Sequence, residues 1–363
     1  MLKKLDWYII KKMISTTVFM LVIFSIIAGV VDASEKADDF VKSGQSGLYI
    51  LTHYFAGFIP FIISMIFPLM VFLAVIMFTS KMAGRSEIVA MLAGGIKYNR
   101  ILRPYLVGAF IVGGTFWYST QFLIPKANVL MANFKSTYID SKSSYEIGQY
   151  LAKGSDVYLR VDSNTYAGMK NYDTTSKTAY GGFFLDRLKG ENVVYNLRAQ
   201  TLKWDTAKKM WKMERVTERY INGLYETVKD TVERFMNLNV KPADIRFDKY
   251  LKDKMTTPEL KRYIKLEQSR GTEGLNDYRV ELYKRDATPF SVILLTLMGA
   301  IVGSRKTRGG SGLHMAVGIV LAACYVIMDK FSLTFSTKGN LHPFIAAWIP
   351  NAIFLLVALY LYL

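Results

Sequence analysis

The chain has 363 residues, 51% of them hydrophobic, with a formal net charge of +17, one cysteine and three histidines. A lone Cys324 excludes a disulfide framework, and His53, His314 and His342 are too scattered to give metal-ligand spacing. The positive charge forms no basic stripe interleaved with aromatics, so nucleic acid is excluded as a partner; it flanks apolar runs, the pattern that membranes impose.

A helix crossing a hydrocarbon core about 30 Å thick needs roughly 20 apolar residues. The first such run is Met13 to Val31, preceded by Lys3, Lys4, Lys11 and Lys12. It is too long for a signal-peptide core, and no small-residue cleavage site follows. The second, Tyr54 to Ser80, contains Pro60 and Pro68, tolerated where neighbouring helices satisfy the freed carbonyls. Next comes "RSEIVAMLAGG", Arg85 to Gly95. As a helix stopped by Gly94 and Gly95, it places Ile88, Met91 and Leu92 on one apolar face with Glu87 beside them. Two readings stand at this point: a helix gripped in the groove of a soluble partner, with its carboxylate meeting a basic residue, or a helix lying on lipid. The third apolar run is Ile101 to Ile124.

From Ser155 to Ile245 the pattern changes to short alternating runs bounded by Gly, Asn, Asp and Lys. These predict an antiparallel β-sandwich or open barrel, with two strands joined by a turn at Thr206–Lys209. Tyr158, Phe183, Tyr195 and Trp204 are candidates to line its interior, the alternation leaving the inward face open. Thr257 and Pro258 predict the N-cap and first turn of a helix ending near Gly271. A polar helix from Leu275 to Asp286 then leads into the fourth run, Pro289 to Val302. The fifth and sixth are Leu313 to Phe331 and Pro343 to Leu363. Residues 1–124 thus hold helices one to three with the short helix near 84–94, 125–255 the β domain, 256–287 a helical connector, and 288–363 helices four to six. The fold class is membrane α-helical with an inserted extracytoplasmic antiparallel β domain.

Orientation follows from Lys and Arg in the short loops. The N-terminus, the loop carrying Lys81, Arg85, Lys97, Arg100 and Arg103, and the loop with Arg305, Lys306 and Arg308 are basic, whereas Asp32, Glu35, Asp38 and Asp39 follow the first run. With six crossings every basic loop falls on one side. Both termini and the "RSEIVAML" helix are therefore expected in the cytoplasm and the β domain outside. "GGSGLH", Gly309 to His314, lacks the lysine of a phosphate cradle. No intramembrane acid or histidine cluster and no Ser-His-Asp arrangement is legible, so the chain is read as a non-enzyme.

The order of these features resembles the LptF/LptG permeases of lipopolysaccharide export. Carrying the resemblance are "LDWYIIKK" at the start, "RSEIVAMLAGG", "PFSVILLTLMGAIVG" opening helix four, "YVIMDKFSLTF" closing helix five and "WIPNAIFLL" in helix six. The closing pattern leans toward LptG. The resemblance implies a heterodimer with a paralogous permease subunit in the bacterial inner membrane. It implies a cytoplasmic ABC ATPase dimer docking on the helix between spans two and three, here Arg85, Glu87, Ile88, Met91 and Leu92. ATP and Mg belong to that partner, with no cofactor bound by this chain. The first and fifth spans are implied to gate a cavity. A jelly-roll domain then passes lipopolysaccharide to periplasmic β-jelly-roll bridge proteins. Gly29 stands where some members carry a basic residue, with Asp32 nearby. The cations at outer membrane ends are Lys36, Lys42, Lys126, Lys284, Arg285 and Lys330. They are the candidate substrate contacts, although each also fits interfacial snorkelling. The alternatives are an exporter of another lipid or lipoprotein, and a scaffold or sensor with a β ectodomain.

Overall fold

The computed structural model describes residues 3–139, 157–173, 176–238, 240–242, 250–270, 274–305 and 311–363. The expectations that fall on Ser155, Ile245, Gly271, Lys306, Arg308 and Gly309 lie outside those residues. The chain forms two compact units. One is helical and comprises Met1–Phe134, Lys252–Lys261 and Asn276–Leu363; the other comprises Lys135–Leu251 and Arg262–Leu275.

The helices in chain order are α1 (Lys4–Glu35), α2 (Ala37–Ser43), α3 (Gly47–Gly84), α4 (Glu87–Ala93), α5 (Tyr98–Ile139), α6 (Leu251–Lys254), α7 (Thr257–Arg270), α8 (Asn276–Ser304), α9 (Ser311–Lys338) and α10 (Pro343–Tyr362). Six of them, α1, α3, α5, α8, α9 and α10, are long and apolar enough to cross a membrane, one for each apolar run in the sequence. All but α10 extend beyond their runs. The third continues through Pro125–Phe134, a stretch composition assigns to the β domain, because Pro125, Asn128, Met131 and Phe134 recur at helical spacing and are buried. The polar helix expected before the fourth run is part of one 29-residue helix, α8.

At the start of α7 the cap is Thr256 rather than Thr257. The Glu259 carboxylate accepts from the Thr256 backbone N–H at 2.8 Å and from its hydroxyl at 2.6 Å, and Leu260 N–H donates to the Thr256 carbonyl at 2.8 Å. Glu259 reaching back in this way makes Thr257 the first helical residue.

Polar contacts gather at the two ends of the bundle. At one end Arg100 donates to both carboxylate oxygens of the buried Asp6, at 2.7 and 2.6 Å. There Tyr98 and Ser304 hydroxyls meet at 2.8 Å, Tyr362 donates to Asn99, and Arg305 donates to the Leu361 carbonyl at 2.6 Å. At the other end Trp117 and Gln121 donate to Asp286 at 2.9 and 3.0 Å, and Asn276 donates to the Ser336 carbonyl at 3.2 Å. The starts of α1 and α5 therefore lie with the ends of α8 and α10, which is the parity six crossings require.

Apolar burial does not drive helix association in lipid, so close packing and buried polar contacts must do it. Gly299 and Gly303 of α8 lie one turn apart and let the α3 backbone approach. A Cβ on Gly299 would stand 3.1 Å from the Phe72 ring, and one on Gly303 3.0 Å from Thr79 Cβ and 3.2 Å from the Ile76 carbonyl. Pro350 leaves the Ala346 carbonyl without its helical donor, and the buried Ser332 hydroxyl of α9 donates to it at 2.6 Å. Asn351 ties three helices: its amide donates to the Ala287 carbonyl at 2.9 Å and its carbonyl accepts from Tyr325 at 3.1 Å.

Among the described residues the second unit carries eight strands: β1 (Val157–Asp162), β2 (Thr165–Met169), β3 (Tyr172–Asp173), β4 (Thr178–Ala179), β5 (Phe183–Lys189), β6 (Asn192–Asp205), β7 (Met210–Asn222) and β8 (Tyr225–Met236). They join in one antiparallel sheet ordered β1-β2-β5-β6-β7-β8, with the β3–β4 hairpin pairing the last part of β6 through Ala179 and Leu202. The β6–β7 turn falls at Thr206–Lys209, as the sequence predicts. The Asp205 carboxylate accepts from Ala207 and Lys208 N–H at 2.8 and 3.0 Å, and Lys209 adopts φ 52°. One face of the sheet carries the core, with Phe183, Leu185, Leu197, Leu202, Trp211 and Met213 buried. Alternation slips by one residue at Gln200–Thr201 and at Glu214–Arg215, so Leu202 and Met213 still point inward. Leu238 and Val240 return over this face, and Trp211 Nε1 donates to the Val240 carbonyl at 2.7 Å. Among the described residues strand β8 pairs only with β7, and it is exposed along most of its length.

Candidate functional site

The short helix α4 forms where the sequence places it. Ser86 enters it in the left-handed region, φ 60°, and Gly95 leaves it at φ 82°. Its inward face is not the one expected. Ile88, 2% exposed, and Met91 pack into the protein's own core beside Met82, Ala83 and Ile101. Leu92 points outward instead, together with Val89, 43% and 44% exposed. Ile88–Met91 and Val89–Leu92 are equally spaced apolar pairs, and the fold, not the spacing, decides which is free. Arg85 is exposed. Glu87 is half-buried and forms no ion pair among the described residues. The outward surface is thus an unpaired carboxylate beside a small aliphatic patch.

The six candidate cations divide. Lys36 pairs with the buried Asp32, and its ammonium lies 5.5 Å from the Tyr54 ring and 5.7 Å from that of Phe58. Those rings belong to an aromatic cluster with Phe40, Phe55 and Phe134. Lys284 lies 3.5 Å from Asp329. Arg285 is buried, with Nε donating to Glu281 at 3.0 Å, Nη1 to the Met255 carbonyl at 2.8 Å and Thr257 Oγ1 at 3.1 Å, and Nη2 to the Lys252 carbonyl at 3.2 Å. It is a strut holding α6 and the start of α7 to α8, not a free cation. The sequence could not reveal this, because its partners other than Glu281 lie some thirty positions away in the chain. Lys42, Lys126 and Lys330 are exposed, and no carboxylate pairs with them among the described residues.

Within the β unit Phe183 and Tyr195 face the core and Trp204 packs against it, whereas Tyr158 is exposed on the outer face. Tyr195 donates to the buried Glu218 at 2.5 Å and accepts from Arg234 at 3.2 Å, and Arg234 pairs with Glu218. The inner face is therefore apolar in the middle and polar toward β8. Among the described residues no group of His, Cys, Asp or Glu side chains could hold a metal ion.

Burial, reinforced by Glu281, raises the Asp253 carboxyl from its ordinary 3.8 to about 6. Between about pH 4 and 6 the folded chain keeps a proton that the unfolded chain has released, so stability falls as pH rises through that window. Above it the deficit levels off at about 3 kcal/mol. Asp253→Asn is expected to abolish the slope and to raise stability near pH 8 by about 2 kcal/mol. Melting temperatures of the purified chain measured across this range check it, and an unchanged slope refutes it.

Residues 7–363 match the family model for the lipopolysaccharide export system permease LptF/LptG. The chain is 24% identical, over 368 aligned residues, to the lipopolysaccharide export system permease protein LptG of Escherichia coli (strain K12), an alignment covering 98% of this chain and 97% of that protein. The same protein from Escherichia coli O6:H1 (strain CFT073) matches to the same extent. With the match running from the first crossing helix through the inserted sheet to the last, the chain belongs to the lipopolysaccharide export system permease LptF/LptG family.

Proposed function

We propose that the chain is the LptG-type subunit of an ATP-driven exporter in the bacterial inner membrane, paired with a paralogous LptF-type subunit and driven by a cytoplasmic ABC ATPase dimer. It takes lipopolysaccharide from the outer leaflet and hands it to a periplasmic β-jelly-roll bridge. The supporting observation is uneven cover. Only 11% of the most apolar stretch of α1 and 17% of that of α9 is buried within the chain, against 72% for α8. Helices that leave Phe19, Ile26, Val320 and Phe331 uncovered suit a lateral gate that meets a second subunit or lipid.

Moving several acyl chains through water costs about 0.8 kcal/mol per CH₂, so the route must stay apolar. The β unit has one apolar face, around Phe183, Leu197 and Trp211, that could take part once its covering residues Leu238 and Val240 move aside. Strand β8, exposed and at the sheet edge among the described residues, offers backbone groups for the bridge to extend the sheet. Lys42, Lys126 and Lys330 carry the headgroup contacts, with Lys36 and Lys284 available once released from Asp32 and Asp329. Glu87, Val89 and Leu92, with Arg85 at the rim, form the ATPase docking surface, and Ile88 and Met91 anchor it from beneath.

The decisive experiment is affinity purification in mild detergent, with identification of co-eluting proteins and lipid. A second permease, an ATPase and lipopolysaccharide are expected; recovery of the chain alone would support the scaffold reading. Photocrosslinkers at Phe183 and Tyr158 sharpen it. Lipid adducts are expected at the inward position and not at the outward one, and equal labelling would remove the β unit from the route.

A further inference from the structure

At the end of the bundle that holds Arg100 and Tyr362, a cavity of about 180 Å³ opens between the end of α8, the start of α9 and the end of α10. Its walls are aliphatic, with Val302, Val317 and Leu361 each contributed by a different helix. Two polar residues break that lining, Arg305 and His314. His314 is only 6% exposed, and neither ring nitrogen has a hydrogen-bond partner among the described residues. A buried imidazole left unsatisfied costs about 1–3 kcal/mol, so the site favours any occupant that supplies an acceptor. Arg305 is exposed at the rim; one of its N–H groups donates to the Leu361 carbonyl at 2.6 Å. A guanidinium has five donors, so the rest of the fork is available.

We propose that this cavity binds one anionic phospholipid of the adjacent leaflet. The phosphate sits between His314 and Arg305, and the first part of an acyl chain runs along Val302, Val317 and Leu361. Charge, size and position all favour this occupant. A guanidinium and an imidazole donor at one mouth match a phosphate oxygen pair. An apolar cavity of about 150 Å³ accommodates a benzene ring, so this one takes a short alkyl segment and not a whole lipid. Basic pockets between crossing helices, on the side where Lys and Arg collect, attract anionic headgroups, and Lys97, Arg100 and Arg305 share this end. The bound lipid bridges three helices, α8, α9 and α10. The proposal does not depend on which lipid is exported.

The test uses the full chain in dodecyl maltoside micelles, titrated with dioleoylphosphatidylglycerol, dioleoylphosphatidylcholine or inorganic phosphate while its melting temperature is followed. Phosphatidylglycerol is expected to give a saturable rise, and the other two are not. His314→Leu and Val317→Trp, the latter filling the cavity, are each expected to weaken the apparent affinity at least about tenfold. His314→Gln, which keeps a donor, is expected to stay within about threefold and decides the matter if the leucine variant does not fold. An equal rise with phosphatidylcholine, a rise with phosphate alone, or wild-type titrations in the cavity variants would each overturn the proposal.

Discussion

Glu87→Lys is expected to reduce coupled lipopolysaccharide transport at least about 100-fold while leaving insertion and folding intact. Both halves of that expectation come from how α4 is built. Ile88 and Met91 hold the helix in the core, and neither is disturbed by a change at position 87. Glu87 itself has no ion-pair partner among the described residues, so reversing its charge breaks nothing inside the chain. What it changes is the outward surface, where a carboxylate beside Val89 and Leu92 becomes an ammonium. A basic residue on an ATPase would then face a like charge across a desolvated contact. Proteoliposomes holding the complete complex, assayed for lipid release and for ATPase activity, separate the outcomes. Normal release from the variant would defeat the docking surface, whereas partial rescue by an acidic substitution on the ATPase would fix the pair.

The second large effect is expected at Gly303. Its missing Cβ leaves room for Thr79 and the Ile76 carbonyl of α3. A leucine there must push the two most extensively packed helices apart, at a cost of about 3 kcal/mol or more. Gly303→Ala should cost about 1 kcal/mol, since its single methyl needs only a few tenths of an ångström. Gly114 of α5 provides the control: nothing lies near its position, and Gly114→Leu should change stability by less than about 0.5 kcal/mol. Melting of the detergent-solubilised chain ranks the three, and equal melting of Gly303→Leu and Gly114→Leu would show that the α3–α8 crossing is not a tight one.

The six crossings were legible because roughly 20 apolar residues leave few alternatives. The β6–β7 hairpin was legible because polar turn residues interrupt two alternating runs. Helix ends were less so: past Ile124, α5 runs on through Pro125, Asn128, Met131 and Phe134, which are buried yet not uniformly oily, and a hydropathy reading cannot see that. The candidate site was legible as a segment and not as a surface. Composition located α4 and its carboxylate, but choosing between Met91 and Val89 as the outward residue requires knowing that Met82 and Ile101 stand behind the helix. The cations show the same limit. Lys36 and Arg285 look alike as charges near a span, each with an acid four positions earlier, and only tertiary contacts show that Arg285 is also spent on the Met255 and Lys252 carbonyls. Tyr158 and Phe183, both in alternating strands, could be sorted only once the sheet had a core side.

The α3–α8 crossing joins segments separated by the entire inserted sheet. During synthesis, α1, α3 and α5 therefore wait in the bilayer without their central partner while the strand-rich insert is translocated. The Gly299–Gly303 face arrives only afterwards. Throughout that interval the backbone of α3 near Phe72 and Thr79 is open to other transmembrane segments. Biogenesis of this chain thus has a vulnerable window set by the length of its insert, and lengthening that insert should increase capture by membrane proteases even where the finished fold is unchanged.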